Sequence, residues 1–368
     1  MRANRSVLLT GVVLSLVTTL APTAHAAPDC SVPDGRMKSA VCEISAAAPP
    51  EGYGWVWAND AGHTVGEWYA PSTTYQYSSV TNLPTNQVRH VGPGTYTVFV
   101  DGVSPTAGVT HVTAYGWENR ARCKNTVTTP TLGGQYLTVR CYAFDGTLVD
   151  SQFTASFTNL RTRYYDFGYR AVNNSTVTTH NSTTGAVLYA REALGQYRVS
   201  FKSLGGSPGG TVQITATGQT DVWCKTADWY PDAVYHHVLV RCFTPAGAAA
   251  DSEFNVTFVR KGNILGDKNP TPGLESAYGW VTSGTSAPDT WAFPLPTWTV
   301  TSLGTGIRDV APAQPLNGGD VQITAYDGTT NSCAIAYWTW ASATVQCYTT
   351  TGALVDSPFD ISHVGKRT

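Results

Sequence analysis

One short pattern occurs three times in the chain, and it constrains the fold more than any other feature. It reads Gly146-Thr147-Leu148-Val149-Asp150-Ser151-Gln152-Phe153, then Gly247-Ala248-Ala249-Ala250-Asp251-Ser252-Glu253-Phe254, then Gly352-Ala353-Leu354-Val355-Asp356-Ser357-Pro358-Phe359. A cysteine stands nine residues before each Asp: Cys141, Cys242 and Cys347. A motif that keeps its distance from a cysteine marks a repeated structural unit. Cys123 to Cys224 and Cys141 to Cys242 are both separations of 101 residues, so few insertions divide the first two copies.

The units read as strands. Charged residues are 13% of the chain, aromatics are 11%, and Gly numbers 35, a balance that favours strands and turns over helices. Gly94-Thr95-Tyr96-Thr97-Val98-Phe99-Val100 alternates at period two, the mark of a half-buried strand. Gly195, Tyr197, Val199 and Phe201 repeat it 101 residues later. Residues 186–194 could form a short helix ended by Gly195. Their counterparts in the first repeat contain Gly92 and Pro93, so both segments are expected to be strands. Leu137–Cys141 and Val238–Cys242 are strong strands, and each leads into the G-x-x-x-D-S-x-F turn.

The expected organisation is a signal peptide at 1–26, a lead-in at 27–50, β repeats at 51–159 and 160–260, a polar linker at 261–276, and a third repeat at 277–368. The halves of a repeat also resemble each other. Ser276-Ala277-Tyr278-Gly279-Trp280 opens a first half, and Thr113-Ala114-Tyr115-Gly116-Trp117 opens a second. Six halves between Glu51 and Val364 give about 52 residues each, the size of a four-stranded blade. The expected fold is all-β, a six-bladed propeller-like ring, with three tandem β-sandwich domains as the alternative.

Arg2 and Arg5, the apolar run Leu8–Leu20 and Ala24-His25-Ala26 form an export signal, so the protein is expected outside the cell. Loss of residues 1–26 removes two Arg and no acid, taking the formal charge from −2 to −4. A mildly acidic chain without a basic run is a poor nucleic-acid partner, and no later stretch is apolar enough for a membrane span. The eight Cys pair most simply as Cys123–Cys141, Cys224–Cys242 and Cys333–Cys347, leaving Cys30–Cys42 to staple the lead-in. Zinc is disfavoured because no C-x-x-C occurs, and no metal or cofactor is expected.

Several of these stretches together resemble secreted repeat proteins of actinobacteria. They are Tyr69, Pro71, Ser72, Tyr75, Gln76 and Tyr77, the G-x-Y-x-V-x-F strand, Val-Gln-Ile-Thr-Ala at 212–216 and 321–325, and the Cys…D-S-x-F ending. The resemblance implies export and repetition and carries no activity. The third repeat departs from the pattern between Gly304 and Pro312, where the aromatic strand has lost its Tyr.

Asp150, Asp251 and Asp356 could ligate a metal or a sugar hydroxyl. Their fixed spacing points instead to a structural turn in which the carboxylate accepts backbone N–H bonds. Trp229 and Trp338 each follow the first Cys of their repeat by five residues, which suggests core packing. Trp117, Trp291, Trp298 and Trp340 have no repeated counterpart and are the better ligand candidates. His236 and His237 are strand neighbours facing opposite sides, so they do not chelate together. No H-E-x-x-H, G-x-S-x-G or P-loop is present, and no catalytic residue is assigned. The expected function is a secreted, non-catalytic binding protein for an extracellular polymer such as carbohydrate. The alternatives are a protein–protein interaction module, or a hydrolase or lyase with carboxylates at the centre of a propeller.

Overall fold

Alternating apolar residues give strands such as Thr95–Asp101 one face to bury, whereas Val109–Tyr115 and Thr211–Ala216 are buried on both faces, and the computed structural model is all-β. It describes residues 50–267, 274–293, 297–313, 316 and 318–366. Cys30 and Cys42 lie outside the described residues.

Repeat one holds β1 (Tyr53–Ala58), β2 (Trp68–Tyr69), β3 (Gln76–Ser78), β4 (Gln87–Gly92), β5 (Thr95–Asp101), β6 (Val109–Tyr115), β7 (Arg122–Thr131), β8 (Gly134–Tyr142) and β9 (Gln152–Thr158). Repeat two holds β10 (Asp166–Asn173), β11 (Thr176–Asn181), β12 (Val187–Ala193), β13 (Gln196–Lys202), β14 (Thr211–Ala216), β15 (Trp223–Pro231), β16 (Tyr235–Phe243) and β17 (Phe254–Arg260). Repeat three holds β18 (Leu274–Val281), β19 (Asp289–Phe293), β20 (Trp298–Gly304), β21 (Ile307–Pro312), β22 (Gly319–Ala325), β23 (Ser332–Trp338), β24 (Ala343–Tyr348) and β25 (Phe359–Lys366).

In every repeat the last strand returns to pair with the first: β9 with β1, β17 with β10, β25 with β18. This produces an inner sheet, ordered β3-β1-β9-β6, β11-β10-β17-β14 or β19-β18-β25-β22. The outer sheets are β2-β4-β5-β8-β7, β12-β13-β16-β15 and β20-β21-β24-β23. Each sheet therefore draws strands from both halves of its repeat, and the two sheets face one another across a single core. In repeat two that core contains Tyr197, Val199, Phe201, Val238, Val240, Phe254, Val256 and Phe258. The pairing is that of the sandwich alternative, and the sandwiches are not strung out but closed into a ring.

The closure solves an edge problem. β6, β14 and β22 are the outermost strands of the inner sheets, and an open edge leaves N–H groups without partners. Val112 N–H donates to Thr215 Oγ1 (3.1 Å), Ile214 N–H to Thr324 Oγ1 (2.9 Å), and Ile323 N–H to Thr113 Oγ1 (3.0 Å). Each edge is thus capped by the threonine at the same position of the next repeat, which defines a pseudo-threefold axis. Thr113 and Thr324 donate onward to Gln322 Oε1 and Gln213 Oε1, while His111 takes the equivalent place beside Thr215. Burial lowers the His111 pKa to about 3, so the ring is neutral. The buried cations repeat the same logic. Lys124 Nζ donates to the carbonyls of Thr220 and Val222, and Lys225 Nζ pairs with Asp327. A small parallel contact, Ile335 opposite Tyr115, completes the circle between repeats three and one.

Cys123–Cys141, Cys224–Cys242 and Cys333–Cys347 are disulfides joining directly opposed residues of neighbouring strands. Asp150, Asp251 and Asp356 accept backbone N–H bonds from Gly94, Gly195 and Gly306 at 2.6–2.9 Å. Each carboxylate thereby pins the hairpin tip that precedes its motif by about half a repeat. Those three glycines sit at φ +57°, +62° and +70°, a region that disfavours side chains. Tyr96 and Tyr197 add their hydroxyls to the first two carboxylates. In repeat three, Arg308 stands where the Tyr is lost, and its guanidinium reaches Asp356 at 3.0 Å. In the 261–276 segment, Asn263, Ile264 and Leu265 are buried, and the two apolar residues pack in a cluster with Tyr53, Phe167 and Tyr278.

Candidate functional site

Two interfaces of the ring carry the same aromatic trio. Between repeats three and one it is Trp338, Trp57 and Tyr115, with ring centroids 4.9–5.6 Å apart. Between repeats two and three it is Trp229, Trp280 and Tyr326, with Trp280 lying 6.1 Å from Trp229 and 5.3 Å from Tyr326. The positions are equivalent by pairing. Trp57 opposes Thr154 and Trp280 opposes Asp360, each one residue after the Phe of its motif. Trp229 and Trp338 oppose Val238 and Ala343, each four residues before the second Cys. At the remaining interface the same positions hold Thr128, Ala171 and Thr217, all buried, and the site has no aromatic character.

The two trios differ in what stands over them. Tyr75, from the 3-10 turn Thr73–Tyr75, packs edge-on against Trp57 (5.0 Å) and against Trp338 (5.6 Å). It fills the space. The residue at the same place in repeat three, opposite Trp280, is Asp289. The shorter carboxylate leaves an open cleft of about 510 Å³, lined by Trp229, Tyr230, Trp280, Tyr326, Asp289 and three prolines. Small-ligand clefts span roughly 300–1,000 Å³ with mostly apolar walls and a few placed polar groups.

Two carboxylates serve this cleft. Asp289 accepts a bond through Oδ2 from Gly210 N–H (2.7 Å), and burial raises its pKa. Asp228 follows a β-bulge between Thr226 and itself, and its Oδ1 accepts from Tyr326 Oη and from Trp229 N–H. The bulge recurs at Asn125/Val127 and Ile335/Tyr337, so all three repeats re-aim this side chain. Only repeat two uses it to hold a tyrosine at a cleft. The Tyr326 phenol is driven far above its ordinary pKa by burial and by Asp228, so it remains protonated.

The four tryptophans without counterparts do not converge. Trp117 (53% exposed) lies 5.9 Å from Tyr337, and Trp340 (70% exposed) projects from the turn after β23. Trp291 is half-buried and stacks on Tyr278 at 5.7 Å, and Trp298 packs against the core of repeat three. The cleft is instead built around Trp280 and Trp229, the latter a residue that the repeat pattern assigns to packing. Among the described residues no group of three or more His, Cys, Asp or Glu is arranged to hold a metal ion. No described helix is long and apolar enough to cross a membrane. No family model, curated protein or solved structure matches the chain.

Proposed function

We propose that the protein is a secreted, non-catalytic binding protein that holds a saccharide unit of an extracellular polymer in the cleft between repeats two and three. One observation carries this reading: the same aromatic trio is plugged by Tyr75 at one interface and left open beside Asp289 at the other. Trp and Tyr faces suit the C–H faces of sugar rings, and the Asp289 carboxylate is placed to accept from sugar hydroxyls. The export signal and the three disulfides support an extracellular setting. Asp320 and Asp360 are 2% and 0% exposed and out of a substrate's reach.

The test is retention of residues 27–368 on insoluble chitin, cellulose, xylan and peptidoglycan, with Asp289→Tyr as the decisive variant. Tyrosine at 289 recreates the plug seen at the sister interface, so the variant should fold and lose retention. Trp280→Ala should lose it as well, whereas Trp340→Ala should not. Retention unchanged in Asp289→Tyr, or absent from every polymer in the wild type, would overturn the proposal.

A further inference from the structure

A second cleft lies on the pseudo-threefold axis, away from the aromatic one, and it is cationic. All three repeats line it, through the threonine ring, the disulfide strands, and the side chains of Arg122, Lys124, Asp221, Trp223, Lys225 and Ser332. Arg122, Trp223 and Ser332 are equivalent positions that meet across the axis. Arg122 Nε donates to Ser332 Oγ (3.2 Å), and its guanidinium lies 4.6 Å from the Trp223 ring and 4.2 Å from that of Phe144. Deeper in, Lys225 is neutralised by Asp327 (2.9 Å), but Lys124 donates only to two carbonyls. Asp221 is the acid in the lining, and neither Arg122 nor Lys124 forms an ion pair with a described carboxylate.

Two donors in this lining are buried without a partner: Arg122 Nη2 and Trp223 Nε1. The unmet guanidinium N–H of Arg122, beside a lysine that no carboxylate holds at ion-pair distance, suits an acceptor-rich, negatively charged guest. The room is about 70 Å³, and at roughly 10–15 Å³ per water-sized sphere it holds about five heavy atoms. That matches a tetrahedral oxyanion and excludes a sugar ring. Burial lowers the Lys124 pKa to about 7 although the nearby Asp221 carboxylate pulls the other way, and a bound anion would raise it further.

We propose that this axial cleft binds one small oxyanion, a sulfate or phosphate group, between Arg122 and Lys124. The group could be a free ion or a substituent on a polymer, and the two sources share the same chemistry. The reading is independent of the aromatic cleft. The test is isothermal calorimetry on the intact chain at constant ionic strength, with sodium sulfate, sodium phosphate and a sulfated disaccharide as titrants and sodium chloride as the reference. Saturable one-to-one binding of an inorganic ion is expected, weakened at least about tenfold in Lys124→Met and in Arg122→Gln. Arg161→Gln, outside the lining and beside Glu51, should bind as the wild type does. Binding of the sulfated disaccharide alone would support the site and identify a polymer substituent as the source. No saturable binding of any titrant to the wild type would overturn the proposal. So would binding that survives both Lys124→Met and Arg122→Gln, because the ion would then sit elsewhere.

Discussion

Asp320→Asn should make the protein more stable, and the gain should depend on pH in a way fixed by one carboxyl group. Asp320 sits in β22 at 2% exposure, accepts one bond from Gln322 Nε2 (2.8 Å), and has Ser156 beside it. Burial raises its pKa from 3.8 to about 7. The native state therefore keeps a proton that the unfolded chain releases across that interval. The proton's contribution to stability is fully present below the unfolded pKa and disappears as pH rises through the folded one. At about 1.4 kcal/mol per pKa unit, the swing is on the order of 4 kcal/mol. Asparagine keeps an acceptor for Gln322, places an amide beside Ser156 and has nothing to ionise. Urea unfolding of both proteins from about pH 4 to about pH 8 is the assay. The stability difference should be small at the acid end, widen by up to ~1.4 kcal/mol per unit, and level off above about pH 7. Asp360 is also buried with a raised pKa, so a downward slope should persist in the variant, and only the difference isolates Asp320. A stability offset that stays constant across the whole range would refute the reasoning.

Two further substitutions probe the ring and the staples. Thr215→Val removes the hydroxyl that accepts Val112 N–H, leaving a buried donor unpaired, and should cost about 1–3 kcal/mol in urea unfolding while Thr215→Ser costs much less; equal losses would mean the hydroxyl is not what seals the edge. Replacing Cys224 and Cys242 together by Ala opens a bridge across 18 residues and should cost about 3 kcal/mol by the same measurement. A change within error would show that the flanking β15–β16 pairing already restrains the unfolded chain.

Strands and repeats were legible in the sequence because their signals are local. The alternation from Gly94 to Val100 and the fixed offset from Cys141 to Asp150 need no knowledge of what lies across the sheet. The sheet composition was not legible, because β9 pairs with β1 from the far end of the repeat, and nothing in a half-repeat announces that return. The Tyr-Gly-Trp motif shows how close a string match can come while misplacing residues. Gly54 opposes Phe157 and Gly168 opposes Phe258, yet Gly279 opposes Ile361, two residues short of the equivalent His363. A two-residue slip keeps every inward side chain inward, so the core tolerates it and the motif still matches by eye. Its consequence is that Trp280 corresponds to Trp57 rather than to Trp55. Once that register is known, Asp289 aligns with Tyr75, and the open cleft follows as the place where the third repeat lacks the first repeat's plug. A search for unrepeated tryptophans passes over this site, because its walls recur and only the residue covering them changes. In a ring of near-identical units, a ligand site is best sought where a recurring cluster loses its lid.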